Sequence, residues 1–184
     1  MNITNKEELL EYIEKNSSVK YLFFWGHQKS KEGISKSCFS QWYESSFSQD
    51  GVHYLTAEHF MMAEKARLFK DDEILLKIIA AKRPVEAKNL GRKIKGFNDE
   101  IWEINRFEIV KKANYLKFKQ NEELKNFLLK TSNKILVEAS PVDPIWGIGM
   151  AVDNPMVDKP EYWEGLNLLG FALMSVREIL KDKE

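Results

Sequence analysis

Thr56-Ala57-Glu58-His59-Phe60-Met61-Met62-Ala63-Glu64-Lys65-Ala66-Arg67 is the stretch on which the fold turns. Thr56 is a residue type that caps helix N-termini, its hydroxyl accepting from an N–H of the first turn, so a helix is predicted from Ala57 to Phe69. Helices continue beyond it. Asp71 or Asp72 opens one that stops near Arg83, because the residue before Pro84 is biased away from helical backbone. Pro84 suits a first turn and opens Val85 to Arg92. Asn98 or Asp99 starts the longest helix, in which Trp102, Ile109, Ala113 and Leu116 form an apolar stripe running to about Lys119. Further helices are predicted from Asn121 to Lys130 and from about Leu166 to Lys181. Between these two lie a short strand at Ile135-Leu136-Val137 and an irregular loop, Ala139 to Glu161, stiffened by four prolines.

On the N-terminal side of the opening stretch, β structure is expected. Tyr21-Leu22-Phe23-Phe24-Trp25 reads as a buried strand ended by Gly26. Short strands flank a turn at Asp50-Gly51 within Ser40 to Tyr54. Before them, Thr4-Asn5-Lys6-Glu7 has capping-box spacing, with Leu9, Leu10 and Ile13 on one stripe and Asn16-Ser17-Ser18 as the stop. The expectation is a mainly α, single-domain fold with a small β element.

A chain of 184 residues with no linker-like tract fits one domain. Lys and Arg number 28, and so do Asp and Glu, so the basic excess by which nonspecific nucleic-acid binders neutralise phosphate is missing. A local basic pocket for one or two phosphates remains compatible with that balance. Cys38 is the sole cysteine, so no intrachain disulfide can form, and a buried thiol is expected there. The N-terminus lacks the apolar core of a signal peptide. The longest apolar runs, Tyr21 to Trp25 and Leu166 to Met174, are too short to span a bilayer. A cytoplasmic location without membrane contact is the expectation. The oligomeric state is left open.

Three segments carry chemistry. Glu58 and Lys65 are seven apart, close to two helical turns, so they share a face with backbones separated by roughly 10 Å along the axis. Their long side chains can converge on one substrate. Glu58 also falls in the first turn, where the helix dipole favours the ionised carboxylate, although that effect alone would account for an acid there. In the second segment, Leu136 to Gly149, a strand runs into a loop bearing Asp143, Trp146 and Gly147. An indole stacks on flat bases and glycine lets backbone approach a ligand, while a core Trp beside turn glycines would look the same. In the third, Lys88 and Arg92 form an i, i+4 cationic pair suited to a phosphate or to a solvated helix end. His27, His53 and His59 match no compact zinc spacing, and no phosphate-binding glycine loop is present, so neither metal nor cofactor is expected.

Gln41-Trp42-Tyr43, Tyr54 to Ala66, Lys88 to Arg92, Leu136 to Pro141, Trp146 to Gly149 and Gly165 to Gly170 together resemble the NADAR family, which includes the YbiA-like proteins. The resemblance runs from about Tyr21 to Leu180, which divides the chain into an N-terminal helical extension (1–20) and a NADAR/YbiA-like domain (21–184). It implies a YbiA-like fold and an N-glycosidase. The substrates it implies are the phosphoribosylamino-pyrimidines of early riboflavin synthesis. The alternatives are removal of ADP-ribose from guanine in DNA, or a sensor that binds NAD or ADP-ribose without turnover. It maps the catalytic set onto Glu58, Lys65 and Asp143, and the aromatic-glycine loop onto Trp146 and Gly147. Arg92 and Lys88 stand as phosphate ligands, and Trp25, Ser40 and Asn167 complete the substrate-binding candidates.

Overall fold

The computed structural model describes residues 3–16 and 18–182; Met1 and Asn2 of the N-terminal reading and Ser17 of the first helix stop lie outside the described residues. In chain order come α1 (Lys6–Lys15), β1 (Tyr21–Phe24), β2 (Phe47–Gln49), β3 (Val52–Tyr54), α2 (Ala57–Leu68), α3 (Asp72–Ala80), α4 (Pro84–Gly91), α5 (Asp99–Gln120), α6 (Glu122–Leu129), β4 (Ile135–Glu138) and α7 (Leu168–Lys181). Short 3-10 turns stand at Lys36–Phe39 and Pro160–Tyr162. This is a mainly α fold with a small β element.

Side-chain caps start α1, α2, α3 and α5. Thr56 accepts from the N–H of His59, Asp71 from that of Ile74 and Asn98 from that of Ile101. The cap of α1 is Asn5, one residue later than the spacing of Thr4 and Glu7 predicts. Asn5 accepts from the Glu8 N–H at 2.8 Å, and the Glu8 carboxylate reaches back to the Thr4 N–H at 2.7 Å. Glu8, three residues beyond Asn5, thus binds the N–H before the cap, where a capping box would bind that of the cap itself.

β1 and β4 pair in parallel, from Tyr21 opposite Ile135 to Phe24 opposite Glu138. Parallel strands require a crossover, and most of the helical body lies in it. β2 and β3 form an antiparallel hairpin whose turn residues, Asp50 and Gly51, both have positive φ (51° and 77°), as a type I′ turn demands. The strand at Tyr21 ends at Phe24, and Trp25 is 57% exposed, so the expectation of a buried Trp25 is wrong.

α7 packs on α5 and on β4, while α2 is flanked by α3, α4 and α5. The predicted stripe of α5 faces the core, with Ala113 buried and Trp102, Ile109 and Leu116 packed against it, but the fully buried set also includes Val110, Asn114, Lys117 and Phe118. Two polar residues sit on that face with internal partners. Asn114 donates to the Gln41 side-chain oxygen at 2.8 Å, and Lys117 donates to the carbonyls of Cys38 at 2.6 Å and Ser40 at 2.9 Å. An apolar period cannot count such residues as core.

Among the described residues no helix is long and apolar enough to cross a membrane. α1 is joined to the body: Leu9 is fully buried, and the Lys6 ammonium donates to the Trp163 carbonyl at 2.9 Å. At the start of α7, Asn167 adopts a left-handed backbone (φ 54°) and uses its side chain as a strand partner for β4. Its Oδ1 accepts from the Glu138 N–H and its Nδ2 donates to the Leu136 carbonyl, both at 3.0 Å. Gly170 lies so close to that strand that any Cβ there would strike the Leu136 carbonyl.

Candidate active site

α2, α4, the end of β4 and the loop after it meet the Ser40–Trp42 segment around a cavity of about 220 Å³. The start of α2 is pinned to that segment, because the Glu58 N–H donates to the Gln41 carbonyl at 3.0 Å. The Glu58 side chain is 3% exposed. Burial pushes its carboxyl up to about 7, with Asp143 adding to the rise; Lys88, the Trp42 indole N–H and Lys65 pull the other way. The dipole-favoured carboxylate expected from first-turn placement is therefore overridden, since desolvation in a closed site exceeds a terminal dipole's effect.

Two turns along α2, the half-buried Lys65 amine lies 4.0 Å from the Phe97 ring centroid and 5.3 Å from that of Trp102. It donates to the Gly91 carbonyl at 3.2 Å, a contact that ties α2 to α4. Burial holds its pKa below the usual lysine range, against the opposite pull of Asp99 and Glu58. The two helices approach closely because Gly91 has no side chain: a Cβ there would meet the Met62 sulfur. Lys88 and Arg92, from α4 and its C-cap, line the same cavity, with Lys88 Nζ 5.6 Å from the Trp42 ring centroid.

The far wall is the loop. Asp143 accepts the N–H groups of Ile145 at 2.9 Å and Trp146 at 2.8 Å through one oxygen, closing the turn that brings Trp146 into the wall. Behind it, a Cβ on Gly147 would stand 2.8 Å from the Glu138 carbonyl, so only glycine lets the loop pack on the strand end. Glu138 closes the floor. Burial pushes its carboxyl up to about 8, Asp143 and Glu58 add to the rise, and Lys88 opposes it.

Of the residues singled out from sequence, Glu58, Lys65, Asp143, Trp146, Lys88, Arg92 and Ser40 come together around one cavity. Gly147 and Asn167 lie behind its wall and shape it, and Trp25 is outside the lining. Sequence reasoning passed over Glu138, Trp42 and Trp102. Glu138 and Trp42 were visible inside segments that resemble the family, and an acid ending an otherwise apolar strand was the available signal. Among the described residues no three His, Cys, Asp or Glu side chains are grouped to hold a metal ion.

Buried carboxyls, a desolvated amine and an indole wall surround one small cavity in this helical domain, an arrangement suited to acid–base chemistry on a small polar molecule. The NADAR domain model matches residues 23–181, and the chain belongs to the NADAR family. An N-glycosidase of Acanthamoeba polyphaga mimivirus is 42% identical over 86% of this chain and 95% of its own length. The riboflavin biosynthesis protein PYRR of Zea mays is 36% identical over 70% of the chain, a region that makes up 19% of the maize protein. The NMR structure of the Escherichia coli protein YbiA superposes with a TM-score of 0.71 at 27% identity, covering 89% of this chain and 86% of that one.

Proposed function

We propose that the protein is an N-glycosidase that hydrolyses the bond between a ribosyl phosphate and an amino-pyrimidine of early riboflavin synthesis. Membership of a family whose relatives are named N-glycosidases supports the reaction class, and the maize relative's name supports the pathway. The observation that carries the reading is the pairing, in one cavity, of the desolvated Lys65 amine with the buried Glu58 carboxyl. The balance of 28 basic and 28 acidic side chains supports a small ribosyl metabolite over DNA.

Cleaving an N-riboside develops positive charge at the anomeric carbon, which a nearby carboxylate stabilises. Glu58 in its ionised form, open to it near its pKa of about 7, takes that role, and the Lys65 ammonium first gives its proton to water. The neutral Lys65 amine then attacks the anomeric carbon, the C–N bond breaks towards the base, and the sugar ring opens to an imine on Lys65. Water adds to the imine and releases the sugar. Trp146 stacks on the base, Lys88 and Arg92 hold the phosphate, and Asp143 meets the ribose hydroxyls with the oxygen that its turn leaves free.

Mass spectrometry of ribosyl release, with phosphoribosylamino-pyrimidine and ADP-ribosylated guanine DNA side by side, tests the substrate. Release from the pyrimidine alone is expected; release from the DNA alone overturns the assignment. Borohydride added during turnover is expected to leave a ribosyl adduct on the Lys65 peptide, and Lys65→Arg to abolish both trapping and turnover. Near-normal turnover by Lys65→Arg with no adduct removes the covalent route.

A further inference from the structure

Resting on the N-glycosidase reading, we propose that Glu138 is a third catalytic carboxyl, the acid that hands a proton to the departing base nitrogen. A nitrogen leaving from a C–N bond departs as an anion unless it is protonated, and a positioned acid supplies that proton. Glu58 and Lys65 both act at the sugar carbon, so the leaving side of the bond has no donor among them.

Glu138 is built for that position. Its backbone is held from three directions: its N–H by the Asn167 side chain at 3.0 Å, and its carbonyl by the N–H groups of Ser140 at 2.9 Å and Ile148 at 3.0 Å. The side chain lines the cavity, yet its Oε2 is buried and makes no hydrogen bond to the protein. An ionised carboxylate is an acceptor at both oxygens, and stranding one of them in a closed wall is costly. A neutral acid avoids most of that cost and leaves its other oxygen to present the proton to a ligand.

The surrounding groups agree. Glu58 of α2 and Asp143 of the loop oppose ionisation of Glu138, and Lys88 of α4 favours it. The partner on β1 is the apolar Phe24, and α7 offers the neutral Asn167 at its start. The acid is thus protonated at rest and has a cation at hand once the proton is gone. In the step itself the O–H bond of Glu138 breaks, an N–H bond forms on the base, and the C–N electron pair goes to nitrogen as the Lys65 amine bonds to the anomeric carbon. Hydrolysis of the imine later leaves Lys65 as an ammonium, whose proton returns through water to Glu138.

The test compares two leaving groups. Glu138→Gln is expected to lower turnover of the phosphoribosylamino-pyrimidine at least about a hundredfold, within the usual range for a lost general acid. p-Nitrophenyl riboside, whose aglycone leaves as a stable anion, is expected to be cleaved within a few-fold of wild type, and the alkaline limb of the wild-type pH profile is expected to vanish in the variant. Equal losses on both substrates, or no loss on either, overturn the proposal. Should Glu138→Gln fail to fold, Glu138→Asp keeps the acid but withdraws it, and it must slow the pyrimidine more than the p-nitrophenyl substrate. Carbon-13 NMR of labelled glutamates in the unliganded protein is expected to show, at pH 7, a neutral carboxyl that Glu138→Gln removes. An ionised Glu138 at pH 6 overturns the proposal while leaving the N-glycosidase reading intact. Wild-type protein that releases no base from any N-riboside overturns that reading, and the proposal with it.

Discussion

Glu58 illustrates how one side chain links chemistry to stability. Its folded pKa, about 7, stands above its ordinary value of 4.5, so on raising the pH the unfolded chain loses this proton first. Stability from this residue is therefore complete below about 4.5, declines up to about 7 and stays low above, each pH unit in the window removing up to about 1.4 kcal/mol. Glu58→Gln removes the penalty. The variant is expected to lose activity at least about a hundredfold, yet to melt at a higher temperature than wild type at pH 8 and at nearly the same temperature at pH 5. Thermal melts at the two pH values check this, and a variant less stable at pH 8 would show the carboxylate to be well solvated. Spacing alone put Glu58 and Lys65 on one helix face. It did not expose Glu138, because a glutamate that ends a buried strand looks the same in sequence whether it turns to solvent or into a cavity.

At the scale of elements, starts were legible and faces only in part. Thr56, Asp71 and Asn98 announce their helices through local hydrogen bonds that any reader of short-range chemistry can anticipate. The buried side of α5 also holds Asn114 and Lys117, which find partners on the Cys38–Gln41 segment far away in the chain, so periodicity gave its apolar stripe but not this polar part. The seam between α7 and β4 is equally non-local, and it is tight. Gly170→Ala would push a methyl group into the Leu136 carbonyl, a backbone atom that cannot swing aside. The expected loss is about 1–3 kcal/mol or more from overpacking, read by denaturant unfolding, with a fall in activity as the Glu138 end of β4 is displaced. Wild-type stability in that variant would mean the helix slides freely on the strand.

For the whole molecule, the central question is where the domain ends. The family match begins at residue 23, and the sequence reads 1–20 as an appendage, yet Leu9 has no exposed surface and shares a core with the family domain. Leu9→Ala is expected to cost about 2–5 kcal/mol, as for a core leucine anywhere; a change below about 0.5 kcal/mol in chemical unfolding would make α1 a passive attachment. The parallel pairing of Tyr21–Phe24 with Ile135–Glu138 joins segments far apart in the chain, and no local signal carries such a register.

Cys38 turns this architecture into a built-in clock. Its thiol is fully covered, and burial, eased by the nearby Lys117 ammonium, pushes its pKa up to about 11. Its carbonyl is held by the same ammonium that holds Ser40 in the cavity wall. A thiol reagent can reach it only when that packing opens, so the rate of alkylation in native buffer times the breathing of the wall behind the site. Ligands that fill the cavity should slow the clock, and Lys117→Met should speed it by at least tenfold. Labelling as fast as that of a free thiol would mean the wall is open most of the time.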